Sequence, residues 1–260
     1  MAQTVPSTYR RRGTQLGPDP VPAWVITTET AFDTDLGVIK TGKEAEVSLV
    51  ERADGDTVSL MAVKRYRGVT HRGFRNDAVY RAGRQMRDTR AQRAADAGTT
   101  KGDTFRTDQW AANEFDVMAA LWSKGAAVPY PVQRVGTELM IEYLGDEDEA
   151  APRLMAVDLD ADLASSLFAQ FLELLRAIVE VGIVHGDLSP YNLLVWEDRL
   201  WAIDFPQAVD LHLNSEAPAL LRRDVENVCK FFASKGVAAA DPEAVMAGLP
   251  PIATRRPHPA

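Results

Sequence analysis

The chain has 260 residues, 46% hydrophobic and 25% charged, with 17 Gly, 15 Pro and one cysteine, a globular composition that excludes disorder throughout. Cys229 alone excludes a disulfide framework or a cysteine-based metal site; no apolar run approaches the roughly 18–20 residues of a membrane span, and residues 1–12 hold no export signal, so a reducing cytoplasm and no membrane are expected. Net charge is −8, yet residues 64–106 carry twelve Lys/Arg against four acids, a local +8 that leaves −16 elsewhere and suits an anionic partner, either nucleotide phosphates or a nucleic acid.

Residues 1–23, polar and punctuated by Pro6, Pro18, Pro20 and Pro22, read as a flexible lead-in. The runs Glu46–Glu51 and Val58–Lys64 flank Ala53-Asp-Gly-Asp56, whose Asp-Gly is a hairpin signal, and so predict an antiparallel meander. Residues 73–97 read as a weak helix that stops in Gly98-Thr-Thr-Lys-Gly102. Over 108–124 the stripe Trp110, Phe115, Met118, Ala119 and Trp122 predicts a helix ending at Gly125, and a Pro-flanked strand pair follows over 131–144. Leu167, Phe171, Leu174, Leu175 and Ile178 mark a helix that closes at Gly182. Short strands at Leu193–Val195 and Leu200–Ile203 flank Asp198; Leu221, Val225, Val228 and Phe232 mark the last core-facing helix, and the tail beyond Leu249 reads as loose. Strands dominate the first half and helices the second, which predicts an α+β fold in two lobes.

The chemistry concentrates in Val184-His-Gly-Asp-Leu-Ser-Pro-Tyr-Asn-Leu-Leu-Val195 and Ile203-Asp-Phe205. Asp187 can orient an attacking hydroxyl or accept its proton, and Asn192 and Asp204 are hard oxygen ligands suited to Mg²⁺ or Mn²⁺. The H-x-D-x-x-x-x-N and D-F pairing resembles the catalytic loop and metal-binding segment of protein-kinase-like folds, small-molecule kinases of the aminoglycoside-phosphotransferase kind included. Upstream, Gly37 to Lys43 satisfies G-x-x-x-x-G-K, but Glu44 replaces the Ser/Thr that holds Mg²⁺ and a strand follows where a P-loop needs a helix. Set against the kinase glycine-rich loop, the positions read Lys40, Gly42, Ala45 and Val47, with one glycine of three. Met61-Ala-Val-Lys64, seventeen residues after Val47, resembles V-A-I-K, whose lysine grips the α/β-phosphates; a lysine ending an apolar strand is otherwise a solvated edge residue. Glu114 is the partner that would align Lys64, its other reading being a helix-face charge.

Taken in order, T-G-K-E-A-E-V, M-A-V-K-R-Y-R, H-R-G-F-R-N-D, W-A-A-N-E-F, A-V-P-Y-P-V, L-M-I-E-Y-L-G-D, A-P-R-L, V-H-G-D-L-S-P-Y-N-L-L-V, I-D-F-P-Q-A-V and L-R-R-D-V-E-N-V resemble the RIO-type atypical serine/threonine protein kinases, type-one branch, over about residues 36–235. The resemblance implies a protein-kinase-like fold, with a small β-rich N-lobe, a helical C-lobe and ATP in the interlobe cleft. It implies a lead-in over 1–23, an N-lobe over 24–140 with a basic flexible insert at about 68–107 that closes over ATP, a hinge over 141–146, a C-lobe over 147–249 and a loose tail over 250–260. It assigns nucleotide binding to Lys40, Thr41, Gly42, Lys43, Glu44, Val47, Lys64 and Glu114, and adenine to the backbone of Glu142, Tyr143 and Leu144. Catalysis falls to Lys64, Asp187 and Asp204, and metal to Asn192 and Asp204. The implied activity is Mg-ATP-dependent phosphoryl transfer, either to a protein hydroxyl, autophosphorylation included, or to water with Asp204 itself phosphorylated. A small-molecule kinase and an ATP-binding scaffold that engages RNA or a ribosomal particle through the insert are the alternatives, and a monomer is expected.

Three departures stand out. Pro190 replaces the family's usual Glu, Ser189 stands where ordinary kinases place a lysine, and Pro206 follows Asp204-Phe205 where they have Gly. The missing positive charge is assigned to Lys43 or an arginine of the insert. Pro206 biases Phe205 to extended geometry. No A-P-E segment is present, and Asp224 is expected to face the catalytic loop and accept its backbone N–H groups.

Overall fold

The computed structural model describes residues 4–42, 45–67, 100–146 and 148–251, and the chain divides into two units. The first takes residues up to 67, 100–123 and 129–150; the second takes 124–128 and 151–251. Lys43, Glu44, residues 68–99 of the basic insert and residues 252–260 of the tail lie outside the described residues.

Among the described residues, the first unit is one antiparallel seven-stranded sheet with a helix. Its strands are β1 (Thr4–Pro6), β2 (Gln15–Leu16), β3 (Phe32–Thr41), β4 (Ala45–Asp54), β5 (Thr57–Tyr66), β6 (Pro131–Val135) and β7 (Glu138–Glu142), in the order β1-β3-β4-β5-β7-β6-β2. The β4–β5 hairpin is fully paired from Ala45↔Tyr66 to Asp54↔Thr57, and its two-residue loop carries Gly55 at φ 58°, the first-position glycine of a type II′ turn. Both strands run to ten residues, longer than their apolar alternation indicates, because the ladder continues through Arg52, Ser59 and Arg65.

The lead-in is a correction to the sequence reading. Far from being irregular, it supplies β1 at one edge of the sheet and β2 at the other. Between them Tyr9 is buried at 4% exposure beneath the guanidinium of Arg52, 5.7 Å from its ring centroid, and Gln133 donates to Thr8 Oγ1 at 2.6 Å. Arg52, fully buried, clamps Asp33 with two hydrogen bonds (2.6 and 2.9 Å) and reaches Gln133 at 3.0 Å. A buried guanidinium needs such partners, and they come from β3 and β6.

Helix α1 (Thr100–Ser123) starts inside the segment expected to break the chain and ends, as expected, before Gly125, whose φ of 75° suits only glycine well. Its buried stripe is Ala111, Phe115, Met118 and Leu121; Trp110 and Trp122 pack at the rim. Glu114 lies on that stripe at 2% exposure.

The second unit is built on α2 (Ala161–Val181) and α3 (Ala217–Ser234), with a 3₁₀ turn at Leu154–Ala156 and the short α4 (Pro242–Ala247). Asp160 caps α2 by accepting the Leu163 N–H, and Gly182 at φ 82° closes it. Phe168 of α2 meets Phe232 of α3 edge-on at 5.3 Å. Two small two-stranded sheets carry the loops: β8 (Ile183–Val184) with β11 (Val209–Asp210), and the hairpin of β9 (Leu193–Trp196) with β10 (Arg199–Ala202). Glu197 and Asp198, both at positive φ, make the β9–β10 turn. No helix among the described residues is long and apolar enough to cross a membrane.

Candidate active site

In the first unit, alternation along β5 directs Lys64 and Tyr66 to one face, where α1 delivers Glu114. Lys64 Nζ donates to Glu114 Oε1 at 2.9 Å, with the two side chains only 12% and 3% exposed, so the expected pair is formed and is largely shielded from water. Tyr66 donates its hydroxyl to Oε2 of the same carboxylate. Val47 pairs with Lys64 across β4–β5 and with Lys40 across β3–β4, and Thr41 pairs with Glu46. The Gly42 N–H donates to the Ala45 carbonyl at 2.9 Å. Lys40, Thr41, Gly42 and Val47 therefore sit at the β3–β4 turn, one strand away from Lys64. Of the three hinge residues, Glu142 is tied inward: its N–H donates to the Tyr130 carbonyl, and its carboxylate accepts the Tyr130 N–H, both at 2.9 Å.

The second unit holds the loop between β8 and β9. Asp224 is drawn into the core because 221, 224, 225 and 228 share one face of α3. Its Oδ2 accepts the Gly186 N–H at 2.7 Å and its Oδ1 the Leu188 N–H at 3.1 Å, as the sequence predicted, while Arg223 donates to the Gly186 carbonyl. The loop is thus gripped from one helix by an acceptor and a donor on adjacent residues.

His185 is fully buried, accepting the Asp187 N–H on Nδ1 at 3.3 Å and facing the Ile203 carbonyl with Nε2 at 3.1 Å, a pattern that assigns the proton to Nε2. Its ring lies 4.6 Å from that of the buried Phe205. It is an anchor that joins the two motifs. A second tie, from the Ile203 N–H to the Asn192 carbonyl at 3.0 Å, sets Asp204 beside the loop, and Asp204 itself adopts φ 73°, a left-handed conformation uncommon outside glycine.

Asn192 Nδ2 donates to the Asp187 carbonyl at 2.9 Å and to its carboxylate at 3.2 Å, which identifies the other end of the amide as the oxygen available to a cation. Asp187 stands exposed, yet its carboxyl is raised from the usual range, first by loss of hydration and then by the negative charge of Asp204, with Arg223 and Asn192 opposing. Two carboxylates that repel each other beside an amide oxygen form a set that a hard divalent cation would relieve. Among the described residues no group of three or more His, Cys, Asp or Glu is arranged to hold a metal. A two-ligand set fits Mg²⁺, which takes its remaining oxygens from phosphate and water.

The structure brings together Lys64 with Glu114, and Asp187 with Asn192 and Asp204. Lys43 and Glu44 lie outside the described residues, as does most of the insert whose arginines were to replace the missing lysine. Tyr66 and Arg223 had not been singled out, although K-x-Y on a strand and R-R-D on a helix are both readable spacings.

The RIO domain sequence profile matches residues 47–245. The chain is 35% identical over 208 residues to the RIO-type serine/threonine-protein kinase Rio1 of Haloferax volcanii, covering 80% of this chain and 66% of that one. It is 33% identical over 212 residues to the serine/threonine-protein kinase RIO1 of Chaetomium thermophilum, covering 77% and 40%. A crystal structure of the Rio2 kinase-ADP/Mg²⁺-phosphoaspartate complex from Chaetomium thermophilum superposes with a TM-score of 0.55 at 24% identity, over 78% of this chain and 57% of that one. The fold is protein-kinase-like, and the chain belongs to the RIO domain family. It spans about two thirds or less of these relatives.

Proposed function

We propose that the chain is an ATP-dependent phosphotransferase of the serine/threonine-kinase type that uses Mg²⁺ and works in the reducing cytoplasm. The observation that carries this reading is the Asp187–Asn192 hydrogen bond beside Asp204, in a loop held by Asp224. Lys64, fixed by Glu114, would bind the α/β-phosphates of ATP. Asp187, raised by its surroundings and hydrogen-bonded to Asn192, orients the attacking hydroxyl and takes its proton as the oxygen–phosphorus bond forms and the bond to ADP breaks. Asn192 and Asp204 would hold the Mg²⁺, which neutralises phosphate charge when bound. Gly42 and its neighbours on the β3–β4 turn would cover the phosphates, and Tyr143 and Leu144 would meet the adenine through their backbone.

The phosphoaspartate in the Rio2 complex favours a second course for the same site. There Asp204 attacks the γ-phosphorus, its carboxylate oxygen gains the phosphoryl group, ADP leaves, and water later hydrolyses the acyl phosphate. The +8 segment would then serve as a contact for RNA or a ribosomal particle, the cycle acting as an ATPase. Incubation with Mg²⁺ and γ-labelled ATP separates the courses. Label on the protein that hydroxylamine releases and Asp204→Asn abolishes supports the acyl phosphate. Acid-stable phosphoserine alone contradicts it and supports direct transfer.

A further inference from the structure

We propose that Tyr66 is a positioning residue for the phosphate-gripping lysine, its hydroxyl and the Lys64 ammonium each holding one oxygen of the same buried carboxylate. The role toward nucleotide rests on the function proposed above; the geometry does not. Lys64 and Tyr66 are two residues apart on β5 and so share a face, and Glu114 meets both of them there. Tyr66 packs with Ala45 and with Ala111, one helical turn before Glu114, so its ring is fixed by the same helix that presents the carboxylate. The Tyr66 N–H donates to the Thr137 carbonyl at 3.1 Å, which pins the end of the strand.

The terminal torsion of a glutamate is broad and roughly two-fold, so a donor on each oxygen fixes the plane of the carboxylate more tightly than a donor on one. At 2% exposure bulk water does not replace the hydroxyl. Tyr66 also holds the other member of the pair, because Lys64 Nζ lies 5.0 Å from the centroid of its ring. One side chain therefore sets the orientation of the acid with its hydroxyl and the place of the base with its ring. Without the hydroxyl, Glu114 turns toward Lys64 and draws the ammonium in, away from the phosphates.

Tyr66→Phe keeps the ring and removes only the hydroxyl. Calorimetry on the full chain with Mg-ADP and with adenosine is expected to show Mg-ADP binding about three- to tenfold weaker in Tyr66→Phe, the range of one hydrogen bond, and adenosine binding unchanged. Acylation of Lys64 by a neutral amine-reactive ester, followed by peptide mass spectrometry, is expected to slow by about threefold relative to Lys124. This second arm uses no nucleotide. A wild type that binds no Mg-ADP overturns the proposed function, and the acylation rates still decide the role of Tyr66. Wild-type behaviour of Tyr66→Phe in both arms, or equal weakening of adenosine and Mg-ADP, overturns the inference; the latter outcome marks a packing role only.

Discussion

Asp224 shows how one side chain couples stability to the catalytic loop. Burial pushes its carboxyl up to about 7, against the pull of the Gly186 and Leu188 N–H donors and the charge of Arg223. Because the folded value lies above that of the unfolded chain, the native state carries the extra proton from about pH 4 to about pH 7. The contribution to stability is full below that window and is lost as pH rises through it. In urea unfolding, the stability of the wild type relative to Asp224→Asn is expected to fall across the window by about 4 kcal/mol and to stay level above it. A difference that is flat with pH would show that Asp224 is already ionised in the fold. Asp187, Asn192 and Asp204 were legible from spacing, since their chemistry is packed into short segments, and Asp224 followed from the resemblance. Lys64 and Glu114, fifty positions apart, were legible only through resemblance, and the Tyr66 hydroxyl was hidden because tyrosine on an apolar strand reads as core.

At the level of elements, periodicity revealed what buries a regular face. Helices α2 and α3 appeared where Leu167, Phe171, Leu174 and Ile178, and then Leu221, Val225 and Val228, recur, because helical spacing collects them on one side. β1 and β2 escaped notice because strands of three and two residues have no period; their partners β3 and β6 impose them. The start of α1 was obscured by Gly102, a poor helix residue, which tertiary packing of the later turns overrides. What holds the early strands is the clamp of Arg52 on Asp33 and Gln133. Asp33→Ala leaves a buried guanidinium short of its partner and is expected to cost about 3–5 kcal/mol, whereas Arg52→Met with Asp33→Leu, which removes both charges, costs much less. Chemical denaturation of the two variants checks this, and equal losses would show that the clamp acts by packing alone.

Across the whole molecule, each unit carries its own cluster of polar side chains. The first offers a lysine aligned by a buried glutamate; the second offers a carboxylate, an amide and a second carboxylate around a helix-braced loop. In the function proposed above both sets act on Mg-ATP, and the charge asymmetry of the sequence would serve its phosphates. In the proposed function Asp187 and Lys64 drive transfer of the γ-phosphoryl group of Mg-ATP. The direct measurement is the rate at which γ-label leaves ATP, summed over protein, free phosphate and added acceptor, for the wild type, Asp187→Ala and Lys64→Ala. The rate is expected to drop by about 10²-fold or more in both variants, to a comparable extent when EDTA removes Mg²⁺, and to do so with the fold intact. A wild type that releases no label, or an Asp187→Ala variant that turns over at the wild-type rate, would contradict the account.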